Sequence, residues 1–218
     1  MSDPIFPLAL ADGYHQLPLG KVVTAVTYLQ QFALPVRAPV PPPPGLRLEP
    51  WDLPDVESYL ALYRQIGEPW LWYGRLVMAH DELALSLTAR TTHILRAYQG
   101  ETPVALIELD VQHHGDVEVL YFGITPGFTG QGLGPWMMDC AQRLAWGFPT
   151  TRRLWVHTCT ADHPAAVPFY IKMGFAPYAM GIEIGDDPRL IGIYPEMSGP
   201  KGLPVIKPQS RSPSNGNI

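Results

Sequence analysis

The sequence predicts a mixed α/β domain, a mostly antiparallel central sheet with one parallel strand pair, flanked by helices. Three observations predict it. Between residues 92 and 124, β-rich runs follow one another with only turn-length breaks, and strands joined this way pair antiparallel. Between 117 and 158, a strand, an amphipathic helix and a second strand follow in order, which calls for a parallel crossover. The chain of 218 residues, 46% apolar and 16% charged, is long enough for one sizeable core and short for two.

The elements can be justified in order. Residues 21–32 (KVVTAVTYLQQF) are rich in Val, Thr and Tyr and read as a strand, with a helix as the alternative. Residues 33–45, centred on Pro41 to Pro44, read as a stiff polyproline-like connector. Residues 46–49 alternate like a short strand. Residues 54–67 read as a helix, with Asp52 as its cap and Tyr59, Leu60, Tyr63 and Ile66 on one face. An aromatic patch follows at Pro69 to Tyr73, then a second helix over 81–89.

Residues 93–98, 103–111 and 117–124 are the meandering strands. The last is apolar on both faces and belongs at the sheet's centre. Leu133, Trp136, Met137, Cys140 and Leu144 then recur at helical spacing and predict a helix over 134–146. A strand over 153–158 follows, then a helix over 164–173 with Asp162 or His163 as its cap and Gly174 just past its end. Closing strands are expected at 176–184 and 190–194. Of the 25 prolines, many fall in the connector or after Pro195, where Ser, Gly and Asn also accumulate and predict an unstructured tail. The expected organisation is an extension over 1–45, one domain over 46–195 and a flexible tail over 196–218.

Composition narrows the function. A formal charge of −5 argues against nucleic acid or an anionic membrane as the main partner. Cys140 and Cys159 suggest no disulfide framework, the first residues lack a basic segment leading into an apolar run, and no stretch reaches membrane-spanning length. A cytoplasmic setting is expected. No CxxC or HExxH spacing joins the histidines and cysteines, so no metal is expected.

The chemistry-bearing signal is the run Pro126 to Gly134 (PGFTGQGLG), where a buried strand enters a glycine-rich turn that opens a helix. Such a turn presents free backbone N–H groups and the positive end of a helix to an anion. A Walker A loop needs Lys and Ser/Thr after the last glycine, and Pro135-Trp136 stand there instead. The GxGxxG dinucleotide pattern fails because residue 135 is not glycine.

The register Gly130-Gln131-Gly132-Leu133-Gly134 resembles the acyl-CoA loop of the GNAT N-acetyltransferase superfamily, with Thr129 where Arg or Gln is usual. Downstream, Ala166, Phe169, Tyr170, Gly174 and Phe175 resemble that superfamily's second signature, with His163 in place of Asn. The resemblance covers about residues 46–194. It implies a sheet whose parallel pair is splayed, with acetyl-CoA as acyl donor and an amine as acceptor, a small molecule being preferred. It implies donor contacts from a bulge at Phe122-Gly123-Ile124, from Thr129 to Pro135, and from His163, Ala166, Phe169 and Tyr170. Tyr170 is the candidate acid toward the departing thiolate, and Glu118 the candidate base, with Glu108 as its rival. Trp70, Trp72, Tyr73, Glu108 and His157 are candidates for the acceptor side. The alternatives are an acyl-CoA-binding module without catalysis, and an acetyltransferase acting on protein lysines or N-termini. A PxxP segment in the connector could recruit a partner, and the apolar strand at 21–32 suggests either a homodimer or an extra strand in the sheet.

Overall fold

In a computed structural model, which describes residues 10–208, alternating burial along the β-rich runs resolves into one seven-stranded sheet. Its strands are β1 (Lys21–Gln31), β2 (Leu46–Pro50), β3 (Thr92–Gln99), β4 (Thr102–Val111), β5 (Asp116–Ile124), β6 (Arg153–Cys159) and β7 (Ala176–Asp186). The spatial order is β2-β3-β4-β5-β6-β1-β7, and only β5 and β6 are parallel. The helices are α1 (Val56–Gly67), α2 (His80–Leu87), α3 (Leu133–Gly147) and α4 (Ala166–Lys172).

Helices cover both faces of the sheet. Ala105, Ile107 and Leu109 of β4 share a core with Met137, Met138 and Ala141 of α3 and with Tyr170 of α4. Leu106, one position out of phase, packs with Tyr59, Leu62, Tyr63 and Ile66 of α1. Leu106, Ile107 and Leu109 are fully buried, each contributing roughly 1.5–3 kcal/mol of burial. This two-sided cover is why β4 reads as a continuous apolar run.

Some boundaries differ from the sequence reading. The cap of α1 is Asp55, whose carboxylate accepts from the Ser58 N–H at 2.8 Å; Asp52 lies too far upstream. Helix α4 starts at Ala166, and its first turn accommodates Pro168, which needs no donor there. Residues 190–194 form turns instead of a closing strand, because the Pro188 carbonyl accepts from both Ile193 and Tyr194 N–H groups.

Of the two readings of residues 21–32, the sheet contains the extra strand, β1. This strand lies inside the sheet, antiparallel to β6 on one side and β7 on the other. Its apolar residues are thereby paired within the chain itself. The proline-rich connector then returns across the back of α3 as a strap. Arg37 donates to Asp139 at 3.2 Å and to Gln142 at 2.7 Å, and the Val40 N–H donates to Asp139 at 3.2 Å. Arg143 donates to the same carboxylate at 2.7 Å. Burial alone would push the Asp139 carboxyl up, but these donors outweigh it and hold the carboxyl below the usual carboxylate range.

Residues 196–208 are also tied down. Arg189, paired with Asp187 at 2.8 Å, donates to the carbonyls of Ser198, Leu203 and Pro204, and Gly20 N–H donates to Ile206 O at 3.0 Å. The predicted loose tail is thus held by backbone acceptors as far as it is described; residues 209–218 lie outside the described residues. Among the described residues no helix is long and apolar enough to cross a membrane.

Candidate active site

The site arises where the parallel pair stops pairing. The β5–β6 ladder runs through Asp116–Arg153, Val117–Leu154 and Glu118–Trp155, and goes no further. Strand β6 continues to Cys159 against β1, while β5 continues to Ile124 against β4. From Val119 on, one edge of β5 therefore has no strand partner, and its backbone donors and acceptors on that edge are open to another molecule. A cleft of about 870 Å³ fills the gap, with Val119 to Ile124 on one wall and Val156 to Cys159 on the other.

A bulge shapes the β5 wall. Glu108 faces Tyr121 and Leu109 faces Val119, so Leu120 is the extra residue. The bulge expected at Phe122-Gly123-Ile124 is thus earlier in the strand, and those three residues pair regularly with Ile107, Leu106 and Ala105. The extra residue reverses the alternation: Val117 and Val119 face the α3 core, and so do Phe122 and Ile124. Gly123 consequently points at α1, where an added Cβ would overlap Ile66 and approach Trp72 to 2.9 Å. Only glycine lets α1 and the Trp72 loop come this close to β5.

The glycine loop stands at the mouth of the cleft. Gly130 and Gly132 have φ of +79° and +83°, and open space surrounds the positions their Cβ atoms would take. Gly132 caps α3 without a side chain. Among the described residues nothing accepts from the N–H groups of Gly130 to Gly134. Pro135 has no N–H to offer, and its ring suits the first turn. Thr129, Gly130, Gly132, Gly134 and Pro135 line the cleft; Leu133 is buried in the α3 core, and the Gln131 amide donates to Gly127 O at 3.0 Å. The Thr129 hydroxyl donates to Pro126 O at 3.2 Å.

Helix α4 and its approach supply the opposite lip. Ala166, Phe169 and Tyr170 line the cleft, and the Phe169 ring stacks on Phe122 at 5.6 Å. Burial, then the Asp162 charge, push the Tyr170 phenol far above its ordinary range, and its hydroxyl makes no hydrogen bond among the described residues. His163 accepts from the Ala165 N–H at 3.1 Å and meets the Trp70 ring edge-on at 5.3 Å. Trp72 donates to Asp162 at 3.1 Å. The aromatic loop after α1 is thereby joined across the cleft to the loop before α4, and Trp70, Trp72 and Tyr73 all line it.

The carboxylates divide in a way the sequence did not show. Glu118 is buried and does not itself line the cleft; it accepts from Gln112 at 2.9 Å and lies 3.1 Å from His157 Nδ1. His157 lines the cleft, and its side chain is 40% exposed. The hydrogen bond to Glu118 pushes the His157 pKa above its ordinary value, against the opposing effect of burial. Glu108 is fully buried on the α1 face, sealed by Arg75 and by the Tyr59 hydroxyl at 2.5 Å. Burial pushes its carboxyl up, against the pull of Arg75 and Tyr59. Glu108 does not reach the cleft, so it drops out both as a base and as an acceptor contact.

Sequence reasoning missed Tyr121 and Glu183, which also line the cleft. It noted Asp162 only as a cap, whereas its carboxylate accepts from Thr158 at 2.7 Å and from Cys159 N–H at 2.9 Å. Glu183 carried no local signal, because its place depends on how β7 pairs with β1. Among the described residues no group of three or more His, Cys, Asp or Glu is arranged to hold a metal ion.

The site's framework is therefore a parallel pair that parts beside a helix start with free N–H groups. The chain belongs to the acetyltransferase (GNAT) family: the model of that family matches residues 53–175, more than half the chain. Strands β1, β2 and β7 fall outside the match. No curated protein matches the sequence. Among solved structures, a GCN5-related N-acetyltransferase from Sphaerobacter thermophilus superposes with a TM-score of 0.55 at 12% identity, covering 76% of this chain and 52% of that one. A conserved protein of unknown function from Staphylococcus epidermidis gives 0.55 at 16% identity, covering 77% and 64%. The chain therefore spans less than two-thirds of the length of either. An aminoglycoside acetyltransferase from an uncultured soil metagenomic sample gives 0.51 at 13% identity, covering 60% and 88%. At these identities the likeness is one of fold.

Proposed function

We propose that the protein transfers the acetyl group of acetyl-CoA directly to an amine of a small molecule. The observation that carries the reading is the stop in β5–β6 pairing at Glu118–Trp155, with the free N–H groups of the α3 start at the mouth of the gap. Those N–H groups suit a pyrophosphate. The open edge of β5 suits the amide-bearing arm of CoA, which would pair with it as an added strand. Phe122, Ile124, Ala166 and Phe169 offer the apolar walls.

In this reading His157, oriented by Glu118, is the base. Neutral His157 takes a proton from the bound ammonium, and the freed amine attacks the thioester carbonyl carbon. The N–C bond forms, the C–S bond breaks, sulfur leaves as the thiolate, and the second proton on the attacking nitrogen is lost to solvent as the amide forms. The Tyr170 hydroxyl donates a hydrogen bond to that thiolate. Because a phenol is already a weaker acid than a thiol and burial weakens it further, Tyr170 serves better as a donor stabilising the charge than as a source of a fully transferred proton. The free cysteines and acidic composition fit a cytoplasmic enzyme.

One observation favours the alternative of a binding module without catalysis. Thr129 and His163, the two departures from the family pattern, spend their side-chain bonds on Pro126 O and the Ala165 N–H. Calorimetric titration with acetyl-CoA and CoA, followed by thiol release across an amine panel, separates the two. Micromolar binding with amine-dependent release supports transfer. Binding without release for any amine supports the module, and no binding refutes both.

A further inference from the structure

We infer that the acceptor is a primary amine carried on an aromatic or other apolar body, with no carboxylate or phosphate beside the amine, and that Glu183 binds its ammonium group. The inference rests on the acyl-transfer reading above and concerns the half of the cleft away from the glycine loop.

That half is bounded by the rings of Trp72, Tyr73 and Tyr121 and by β7. Tyr73 lies over Gly185, where an added Cβ would overlap its hydroxyl, so the ring rests on the β7 backbone. Two residues earlier, Glu183 stands opposite Thr24 of β1, and both line the cleft. The carboxylate of Glu183 makes no hydrogen bond or ion pair among the described residues. Its charge reaches both sides of this space: burial first and Glu183 next push the Tyr73 phenol up, and Glu183 adds to the effect of Glu118 on His157. The other cleft carboxylate, Asp162, is committed to Thr158, Cys159 and Trp72.

Among the described residues no Lys or Arg lines the cleft. The cations around it are already paired: Lys21 with Asp186 at 2.7 Å, Arg75 with Glu108, and Arg64 with Ile193 O at 2.8 Å. An α-amino acid would bring a carboxylate next to its amine with no Lys or Arg in the cleft to receive it and Glu183 to repel it. An aralkylamine meets one free carboxylate and aromatic faces, which attract an ammonium and bury its ring.

The test is equilibrium binding of matched probes to the full chain saturated with CoA. Phenethylamine is compared with phenylalanine, and tryptamine with tryptophan, by calorimetry. Each amine is expected to bind at least about tenfold tighter than its amino acid. Glu183→Gln is expected to weaken amine binding about fivefold while leaving acetyl-CoA affinity unchanged. Equal or tighter binding of the amino acids, absence of amine binding, or an unchanged amine affinity in Glu183→Gln overturns the inference. Loss of CoA binding itself would instead overturn the transfer reading, so the two failures are distinguishable.

Discussion

The placement of β1 predicts a large difference between two substitutions on one strand. Leu29 is fully buried, paired with Val156 of β6 and Pro177 of β7, and belongs to the α3 core. Leu29→Ala removes its side chain from a site closed on both sides, where such truncations cost about 2.7–5.0 kcal/mol. Val23, on the same strand, is 38% exposed and faces Ile184, itself 53% exposed. Val23→Ala should therefore cost under about 1 kcal/mol. Urea unfolding followed by tryptophan fluorescence measures both, and the slope should be unchanged in each. For a chain of this size a loss of about 3 kcal/mol corresponds to a fall in Tm of roughly 6–12 °C. If the two variants lie within about 1 kcal/mol of each other, β1 is not held between β6 and β7. The result bears on function, because Val22 and Thr24 of β1 line the cleft.

Three further predictions concern the chemistry. The rate should rise with pH through the raised pKa of His157, and Glu118→Gln should move the midpoint toward the ordinary histidine value near 6.5, read from a pH profile of kcat/KM. The pair's contribution to stability runs the other way: it is complete below the unfolded value of about 6.5 and lost as pH rises through the folded pKa. Gly134→Val adds a branched side chain where even a Cβ would stand 3.4 Å from the Phe169 ring, so acetyl-CoA affinity should fall about tenfold by calorimetry. Tyr170→Phe should lower kcat about ten- to a hundredfold with acetyl-CoA affinity nearly unchanged, and should cost little stability, since the hydroxyl makes no hydrogen bond among the described residues.

What the sequence made legible was local. The helical spacing of Leu133 through Leu144, the doubly apolar β5 and the glycine turn between them depend on neighbours a few residues apart, and all three stand where expected. The place of β1 was not legible, because strand order is decided by partners more than a hundred residues away. Its burial pattern also carries an irregularity at Tyr28–Leu29 that blurs the period of two. The connector read as a linker because proline content reports stiffness, while the strap's latch is the single buried carboxylate of Asp139 on α3.

The two candidate bases show why composition alone could not choose between them. Glu108 and Glu118 are both strand carboxylates in the expected region, and both are buried. What separates them is which side chain each meets. Glu108 lies opposite Tyr121 and meets Arg75 and Tyr59, which take up its carboxylate oxygens on the α1 face, away from the cleft. Glu118 lies in the last rung before β5 and β6 diverge, and it meets His157, the partner in the pair that stands in the cleft and whose basicity the bond raises. A carboxylate buried behind an exposed imidazole can raise that group's basicity without touching the acceptor. On this argument His157→Gln should abolish the pH dependence of the rate, whereas Glu118→Gln should only shift it. A profile that survives His157→Gln unchanged would refute His157 as the base.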